Sequence, residues 1–287
     1  MSFCDENQKD VSKIMSAQLK IIITAPYVNY NLILVRYLRS LLKHNEVVVI
    51  WQKPETSVAY RTPSLLKVIN LLRSPFIARG ELSHSLESTL KFLLKGKIPR
   101  FSFHFFRDHF SEDPNSYETV HFLRKKKPDI ILVLGGKLLN KQWIGAARFG
   151  AIGFHPGILP NYRGACPVEF ALYYNDLDNI GGTVFRLNEG IDAGAILRRF
   201  YVNPRRHKNI QSLGSCIYKV GIETISEIVG REIEAGEVNR GGRLFFRREL
   251  TSEVNQAIHH RFVEMSCEKP EQIKSIENIE CKKYDIT

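Results

Sequence analysis

Short runs of apolar residues alternate with helix-like patterns along the first part of the chain. Residues 20–25 and 46–51 are rich in isoleucine and valine, which is typical of strands that are buried on both faces of a sheet. Between them, residues 28–43 place leucine and valine at helical spacing. This strand–helix–strand order predicts an α/β fold with a doubly wound, mostly parallel sheet.

The same alternation continues toward the carboxyl terminus. The predicted elements are helix 115–126, strand 129–134, strand 150–154, helix 167–174, strands 183–187 and 196–202, and helices 213–234 and 252–262. Residues 53–115 are less regular and predict two helices and an aromatic strand. We interpret them as an expanded helical segment inserted into the core, with packing as its default role and a lid or partner surface as alternatives.

Composition narrows the class of protein. A chain of 287 residues can form one large domain, and no apolar run approaches the ~20 residues that a transmembrane helix needs. Residues 1–18 are polar and are predicted to be a flexible arm without a signal peptide. The five cysteines show neither paired nor metal-ligand spacing, so we expect reduced thiols, no metal site and a cytoplasmic location.

The net charge of +11 indicates attraction to anions and says nothing about the fold. Basic side chains concentrate at residues 124–127, 198–199 and 205–208. We interpret these runs as solvated surfaces. The alternative is contact with a phosphate-bearing substrate or a nucleic acid.

Two loops carry the candidate chemistry. The first follows strand 150–154 and holds His155 among prolines and glycines, which restrict or permit unusual backbone conformations. Ligands of open α/β sheets bind at the carboxyl ends of the strands, so His155 is a candidate catalyst, with a structural loop histidine as the alternative. The second loop, residues 188–197, carries the carboxylate of Asp192.

Together these loops resemble the folate-dependent formyltransferase family, which includes glycinamide-ribonucleotide, methionyl-tRNA and amino-sugar N-formyltransferases. The family pattern Asn-x-His-Pro-Ser-Leu-Leu-Pro-x-x-Arg-Gly corresponds to residues 153–164, and Glu-Gly-(Leu/Ile)-Asp-x-Gly-x-Ile corresponds to residues 189–196. The resemblance implies a Rossmann-like formyltransferase core at residues 19–240. A small C-terminal extension, 241–287, would follow, and its end is predicted to be disordered. One position departs from the pattern, because Gly153 stands where the family has asparagine.

The resemblance implies that 10-formyltetrahydrofolate donates a formyl group to an amine. Formyl transfer requires in-line reactants, a stabilised oxyanion and a proton relay between two nitrogens. His155 would donate to the oxyanion, and Asp192 would orient the ring and relay the proton. An asparagine at position 153 would have bound the formyl oxygen. Because positions 153 and 155 point the same way in a strand, we expect an asparagine at Gly153 to restore that donor if the space is open.

The resemblance also places the remaining binding groups. The pterin ring would lie against two backbone segments, formed by Gly136, Lys137, Leu138 and Leu139 and by Gly190 and Ile191. Arg163 would clamp a phosphate or carboxylate of the substrate, or brace the loop from outside. For Glu169 we favour a surface carboxylate, and the alternative is that it faces the acceptor amine as a substrate-binding residue.

The identity of the acceptor stays open at this point. The loop after the first strand has no glycine, which disfavours the glycinamide-ribonucleotide branch. The residues after 240 are too few for the β-barrel domain that methionyl-tRNA formyltransferases carry, so nucleic acid is not the expected partner, although tRNA is not excluded. A small-molecule amine, such as a nucleotide-linked amino sugar, is the first expectation. An impaired relative that binds folate, a nucleotide or a partner, and a transferase for another acyl donor or acceptor, are the alternatives. Residues 241–265 could form a homodimer contact.

Overall fold

A seven-stranded sheet organises the computed structural model, which describes residues 18–53, 108–229 and 236–267. In chain order the strands are β1 Lys20–Pro26, β2 Glu46–Gln52, β3 His109–Ser111, β4 Ile130–Val133, β5 Ala151–His155, β6 Arg163–Gly164, β7 Gly181–Arg186, β8 Ile196–Tyr201 and β9 Leu244–Phe245. The α-helices are α1 Asn29–Leu41, α2 Tyr117–Lys126, α3 Lys141–Ile144, α4 Pro167–Tyr173, α5 Ile210–Val229 and α6 Ser252–Cys267.

The strand order in the sheet is β3-β2-β1-β4-β5-β7-β8. The first five strands run parallel, whereas β7 is antiparallel to β5 and β8 is antiparallel to β7. The predicted α/β fold with a doubly wound, mostly parallel sheet is therefore confirmed. His155 pairs with Thr183 across β5 and β7, so the histidine lies at the boundary between the parallel and antiparallel parts.

Helices cover both faces of the sheet. On one face, Ile21 and Ile23 of β1 belong to a core cluster that includes side chains of α1 and α5. On the other face, Ile22 packs in a cluster with side chains of α2 and α3. Alternate residues of β1 are thus buried on opposite sides, which is why this strand reads as a continuous apolar run.

Most predicted elements within the described residues are present, with small shifts at their ends. β5 extends one residue further than predicted and includes His155, and β7 begins at Gly181 rather than at residue 183. The helices and the aromatic strand expected within residues 53–115 fall mainly on 54–107, which lies outside the described residues. The N-terminal arm predicted at 1–18 lies outside them except for residue 18. The disordered end predicted from Ser266 also lies outside them, except that Ser266 and Cys267 form the end of α6.

The C-terminal segment packs onto the core. β9 pairs in parallel with β6, and α6 packs against α4. Phe245 is buried, and its ring stacks on Tyr162 at 5.5 Å and on Phe170 at 4.5 Å between centroids. This segment therefore forms part of the wall that supports the loop after β5.

The expectation that every cysteine is a reduced thiol is not met. Cys166 is a free thiol, but the buried Cys216 on α5 is disulfide-bonded. Within the described residues, no helix is long and apolar enough to cross a membrane. No group of three or more histidine, cysteine and acidic side chains in the same ranges could hold a metal ion.

Candidate functional site

His155 occupies the carboxyl end of β5 and is almost fully enclosed, with 4% of its surface exposed. Its Nε2 lies 2.6 Å from the carbonyl oxygen of Tyr162, and its Nδ1 lies 3.5 Å from Oδ2 of Asp192. Because a carbonyl oxygen only accepts, Nε2 carries the proton of that hydrogen bond. The structure thus brings together the two residues that the sequence singled out, and it buries His155.

The loop after His155 is fixed by a buried threonine of the neighbouring strand. The Thr183 hydroxyl accepts from the backbone N–H of Leu159 at 3.0 Å and donates to the carbonyl of Gly157 at 2.7 Å. A Cβ atom at Gly157 would lie 2.4 Å from Pro167, so only glycine allows this close packing. Together these contacts fix the backbone of the loop.

Asp192 is held by contacts to its side chain and to its backbone. Its Oδ2 accepts from the backbone N–H of Gly164 at 2.9 Å, and its carbonyl accepts from Nδ2 of Asn239 at 3.0 Å. Its backbone adopts a left-handed φ of +45°, which is costly for a residue with a side chain. The Asp192 side chain is 20% exposed against 5% for that of His155, so the carboxylate is the more accessible member of the pair.

The space beside Gly153 is filled. A Cβ atom there would lie 2.7 Å from Cδ1 of Leu187 and 3.0 Å from the ring of Phe185. The open cavity in which an asparagine would restore a donor is therefore absent, and apolar side chains stand in its place. Leu187 is a residue that the sequence reasoning missed, and the apolar run at 183–187 was its only signal.

The first predicted pterin-binding segment forms a tight turn after β4. Gly136 has a φ of +107°, and the N–H of Lys137 donates to Oε1 of Gln52 at 2.9 Å. The carbonyl of Leu138 accepts from Nδ2 of Asn115 at 2.8 Å. Two backbone groups of the turn are therefore already used by the protein.

Side chains at this turn differ in exposure. Leu138 is 62% exposed, Leu139 is buried, and Gly135 has open space around it. The buried Gln52 also donates to Thr24 and so ties the turn to two strands. Gln52 was missed as well, although a polar residue at the end of an apolar strand was a usable signal.

The second predicted pterin-binding segment lies in the loop of Asp192. The N–H of Gly190 donates to the side chain of Asn188 at 3.0 Å. Lys141, just after the first segment, forms an exposed ion pair of 3.1 Å with Glu189. This pair brings the loop of Asp192 next to the residues that follow the first segment.

Arg163 and Glu169 have different surroundings. The guanidinium of Arg163 donates to the carbonyl oxygens of Ile191 and Gly242, which are bracing contacts within the protein. Glu169 is half-buried in the first turn of α4, and burial raises the pKa of its carboxyl group. It is not the surface carboxylate that the sequence favoured.

A basic pocket of about 660 Å³ lies at the other end of β4, where Pro128 and Asp129 precede the strand. Its cationic lining comes from Arg124, Lys127, Lys141 and Arg148. His155 and Asp192 are not among its lining residues, whereas Lys141, which pairs with Glu189, is.

The loops lie in a segment that matches a known family. Residues 91–229 match the model of the formyl transferase family. The chain is 31% identical over 108 residues to a methionyl-tRNA formyltransferase of Ehrlichia ruminantium, covering 37% of this chain and 35% of that protein. It is 32% identical over 125 residues to a methionyl-tRNA formyltransferase of Kosmotoga olearia, covering 43% of this chain and 40% of that protein. The similarity thus spans less than half the length of these relatives.

A solved structure shares the fold. A sugar N-formyltransferase from a Shewanella species superimposes with a TM-score of 0.54 at 10% identity, covering 85% of this chain and 87% of that chain. At this identity the likeness concerns the fold alone. The resemblance seen in the two loops is confirmed by this match, which covers residues 91–229, just under half of the chain.

Proposed function

We propose that this protein transfers a formyl group from 10-formyltetrahydrofolate to an amine of a small acceptor, such as a nucleotide-linked amino sugar. The observation that carries the proposal is the pairing of His155 with Asp192 at the carboxyl end of β5, within the segment that matches the formyl transferase family. Ligands of open α/β sheets bind at this edge.

Asp192 and His155 would have different catalytic roles, which follow from their different exposure to solvent. Asp192 is the accessible member, and only its Oδ2 has hydrogen-bond partners among the described residues. Its other oxygen can take the proton that the attacking amine loses, directly or through water. The proton then passes to the folate nitrogen that leaves as its bond to the formyl carbon breaks.

His155 would supply the hydrogen bond to the oxyanion. Its Nε2–H is held by the carbonyl of Tyr162, so it must exchange that acceptor for the developing negative charge. An oxyanion accepts more strongly than a neutral carbonyl, which favours the exchange only as charge develops. Asp192 beside Nδ1 stabilises the ring in the orientation that this step needs.

The formyl donor would lie between the two backbone segments that Lys141 and Glu189 connect. The exposed side chain of Leu138 and the open space beside Gly135 would contact the pterin ring. The donor does not gain the N–H of Lys137, which Gln52 already occupies. Gly136, Leu139, Gly190 and Ile191 complete the proposed binding segments.

Two measurements test this proposal. The stable analogue 5-formyltetrahydrofolate should raise the thermal midpoint, because a ligand that binds only the native state stabilises it by mass action. Incubation with 10-formyltetrahydrofolate and a panel of amines, including nucleotide-linked amino sugars and methionyl-tRNA, should release tetrahydrofolate with one of them. If millimolar 5-formyltetrahydrofolate produces no midpoint shift and no calorimetric binding, the proposed folate site is wrong.

A second candidate function is that of an impaired relative that binds folate or a partner without turnover. The filled space at Gly153 favours this alternative, because Leu187 occupies volume that the asparagine implied by the resemblance would need. Binding of 5-formyltetrahydrofolate together with no transfer to any amine of the panel would support it. The retained pairing of His155 and Asp192 is the reason that we place it second.

Two possible macromolecular partners are methionyl-tRNA and a second copy of this chain. Methionyl-tRNA stays in the panel because the matched relatives are methionyl-tRNA formyltransferases. The predicted homodimer contact at residues 241–265 involves a segment whose Phe245, Ile258 and Phe262 are buried within the same chain. Any dimer through this segment would have to use its exposed side.

We propose a cytoplasmic location.

A further inference from the structure

Residues 236–245, which we call the connector, run from one candidate loop to the other. At the start of the connector, the N–H of Glu237 donates to the carbonyl of Ile196 at 2.7 Å, and the N–H of Ile196 donates back to the carbonyl of Glu237 at 2.8 Å. Ile196 lies at the end of the loop that carries Asp192. At the end of the connector, β9 pairs with β6 in the loop after β5. One segment thus contacts both loops.

The middle of the connector fits closely against the loop after β5. A Cβ atom at Gly242 would overlap the carbonyl oxygen of Pro160, so only glycine allows this approach. The carbonyl of Gly242 accepts from Nη1 of Arg163 at 3.3 Å, and the carbonyl of Arg243 accepts from the backbone N–H of Arg163 at 3.4 Å. Packing and hydrogen bonds therefore hold the connector in place on that loop.

Asn239 joins the connector to the other loop through its side chain. Its Nδ2 donates to the backbone carbonyl of Asp192 at 3.0 Å, and its Oδ1 accepts from the N–H of Gly241 at 3.1 Å. Because a carbonyl only accepts and a backbone N–H only donates, these two neighbours fix the orientation of the amide. The half-buried side chain thus links Asp192 to a segment that is itself held in place.

The backbone of Asp192 needs such support. Its φ of +45° is left-handed, a conformation that a residue with a side chain keeps only where the surroundings hold it. The Oδ2 atom of Asp192 lies 3.5 Å from Nδ1 of His155 and accepts from the N–H of Gly164 at 2.9 Å. Relaxation of this backbone would turn the carboxylate away from both partners.

We propose that Asn239 is a positioning residue for the reaction, which fixes the left-handed backbone of Asp192 and through it the carboxylate beside His155. Asn239 acts through Asp192 and need not touch a substrate. The inference rests on the proposed function, because it assigns a further residue to that site. The competing role for Asn239 is to form the turn at Gly241 and nothing more.

Two variants separate these roles by steady-state kinetics. Asn239→Asp removes the donor to Asp192 and keeps the acceptor for Gly241. We expect kcat to fall at least about tenfold and KM for the amine to change less, because a small misplacement of a catalytic group is costly. Asn239→Ala adds no charge and should also lower kcat at least about tenfold for the same reason. An unchanged kcat in either variant would overturn the assignment.

The matched control is Asn255→Asp on α6. There an asparagine amide also donates to a backbone carbonyl, that of Thr251, at 2.9 Å. The same chemical change is thus made away from both candidate loops, and kcat should stay the same. An equal fall in kcat in Asn255→Asp and Asn239→Asp would show a general effect of the lost donor and would contradict the proposal.

A residue that acts through Asp192 loses its effect once the carboxylate is removed. In an Asp192→Asn background, the further change Asn239→Asp should therefore lower kcat by less than about twofold, the range within which independent measurements agree. A further loss as large as that in the unaltered protein would show that Asn239 acts independently of Asp192.

Amide hydrogen exchange reports the position of the carboxylate without requiring turnover. The N–H of Gly164 should exchange at least about twofold faster in Asn239→Asp, the low end of what one hydrogen bond contributes. The N–H of Leu134, which donates to the carbonyl of Thr24 in the sheet, should be less affected. Equal acceleration of both amides would mean that Asn239 stabilises the whole fold, and the assignment would be wrong.

These outcomes are distinguishable from failure of the proposed function. If no amine is formylated, but the Gly164 amide responds selectively to Asn239→Asp, the transferase is contradicted and the positioning of Asp192 stands. Formyl transfer with an unchanged kcat in Asn239→Asp would do the reverse.

Discussion

Arg163 donates two hydrogen bonds to the carbonyl oxygen of Ile191, from Nε at 3.1 Å and from Nη2 at 2.6 Å. This contact joins the loop after β5 to the residue that immediately precedes Asp192. The backbone N–H of Gly164, next to Arg163, then donates to the Asp192 carboxylate itself. The position of the carboxylate thus depends on an arginine that need not touch a substrate.

Arg163→Lys should lower kcat by at least about tenfold, because a lysine cannot make two parallel hydrogen bonds to one carbonyl and a small misplacement of a catalytic group is costly. KM for the amine should change less. Steady-state kinetics measure both. The control is Arg198→Lys, where a partly exposed ion pair with Glu227 is altered on β8. A rise in KM without a fall in kcat would instead assign Arg163 to substrate binding.

His155→Asn and Asp192→Asn should each lower kcat by at least about a hundredfold, the lower end of what general acid–base catalysis contributes. The double variant should lose little more than either single variant, because the two side chains act as one unit. Asparagine is chosen at position 155 because His155 is buried and alanine would leave a cavity. Losses that multiply in the double variant would show that the residues act independently.

Apolar patterning was sufficient to predict most of the sheet. The continuous apolar runs of β1 and β2 predict strands buried on both faces of the sheet. The helical spacing of α1 between them predicts that the two strands are parallel and joined by a helical crossover. Strand direction is not encoded in such runs, so the antiparallel pairing of β7 with β5 was not foreseen. Residues 54–107 lie outside the described part, and the elements predicted there stay predictions.

The candidate site was predictable only where a motif carried it. His155 and Asp192 stand in loops whose residue order is distinctive. The roles of Thr183, Gln52 and Leu187 depend on contacts between segments far apart in the chain, which local pattern does not report. The filled space at Gly153 was likewise not predictable, because it depends on contacts with distant residues.

Gly153→Asn alone should not raise formyl transfer and should destabilise the fold, because its Cβ would lie 2.7 Å from Leu187 and 3.0 Å from Phe185. Leu187→Ala makes room by shortening a half-buried side chain. The variant Gly153→Asn with Leu187→Ala should then exceed Leu187→Ala alone by at least about tenfold, since one oxyanion donor is worth on the order of 10²–10³ in rate. Equal rates in these two variants would end the missing-donor account of Gly153.

His207 predicts a pH dependence of stability. Burial, with the charge of Arg206 adding to it, lowers the pKa of His207 to about 4 from its ordinary 6.5. The unfolded chain therefore binds this proton first, so the contribution to stability is complete above pH 6.5 and is lost as the pH falls toward 4. Because the ring is partly exposed, we expect a loss of about 1 kcal/mol between pH 7.5 and pH 5.0.

Urea unfolding at the two pH values measures this loss. His207→Gln should show a smaller decrease in unfolding free energy than the unaltered protein. His260→Gln, on the exposed face of α6, is the control and should leave the decrease unchanged. A decrease of the same size in His207→Gln would remove His207 as its source.

The pairing of β9 with β6 sets the order in which the molecule can be completed. Strand β6, in the loop after His155, finds its partner only at Leu244 and Phe245, after every strand of the large sheet has been synthesised. A nascent chain can therefore assemble its sheet while the loop still lacks the aromatic wall that Phe245 provides. We expect a chain that ends before Leu244 to keep the sheet and lose the ordered site. Competence would then be gained late in translation, in a single step, rather than growing with the length of the chain.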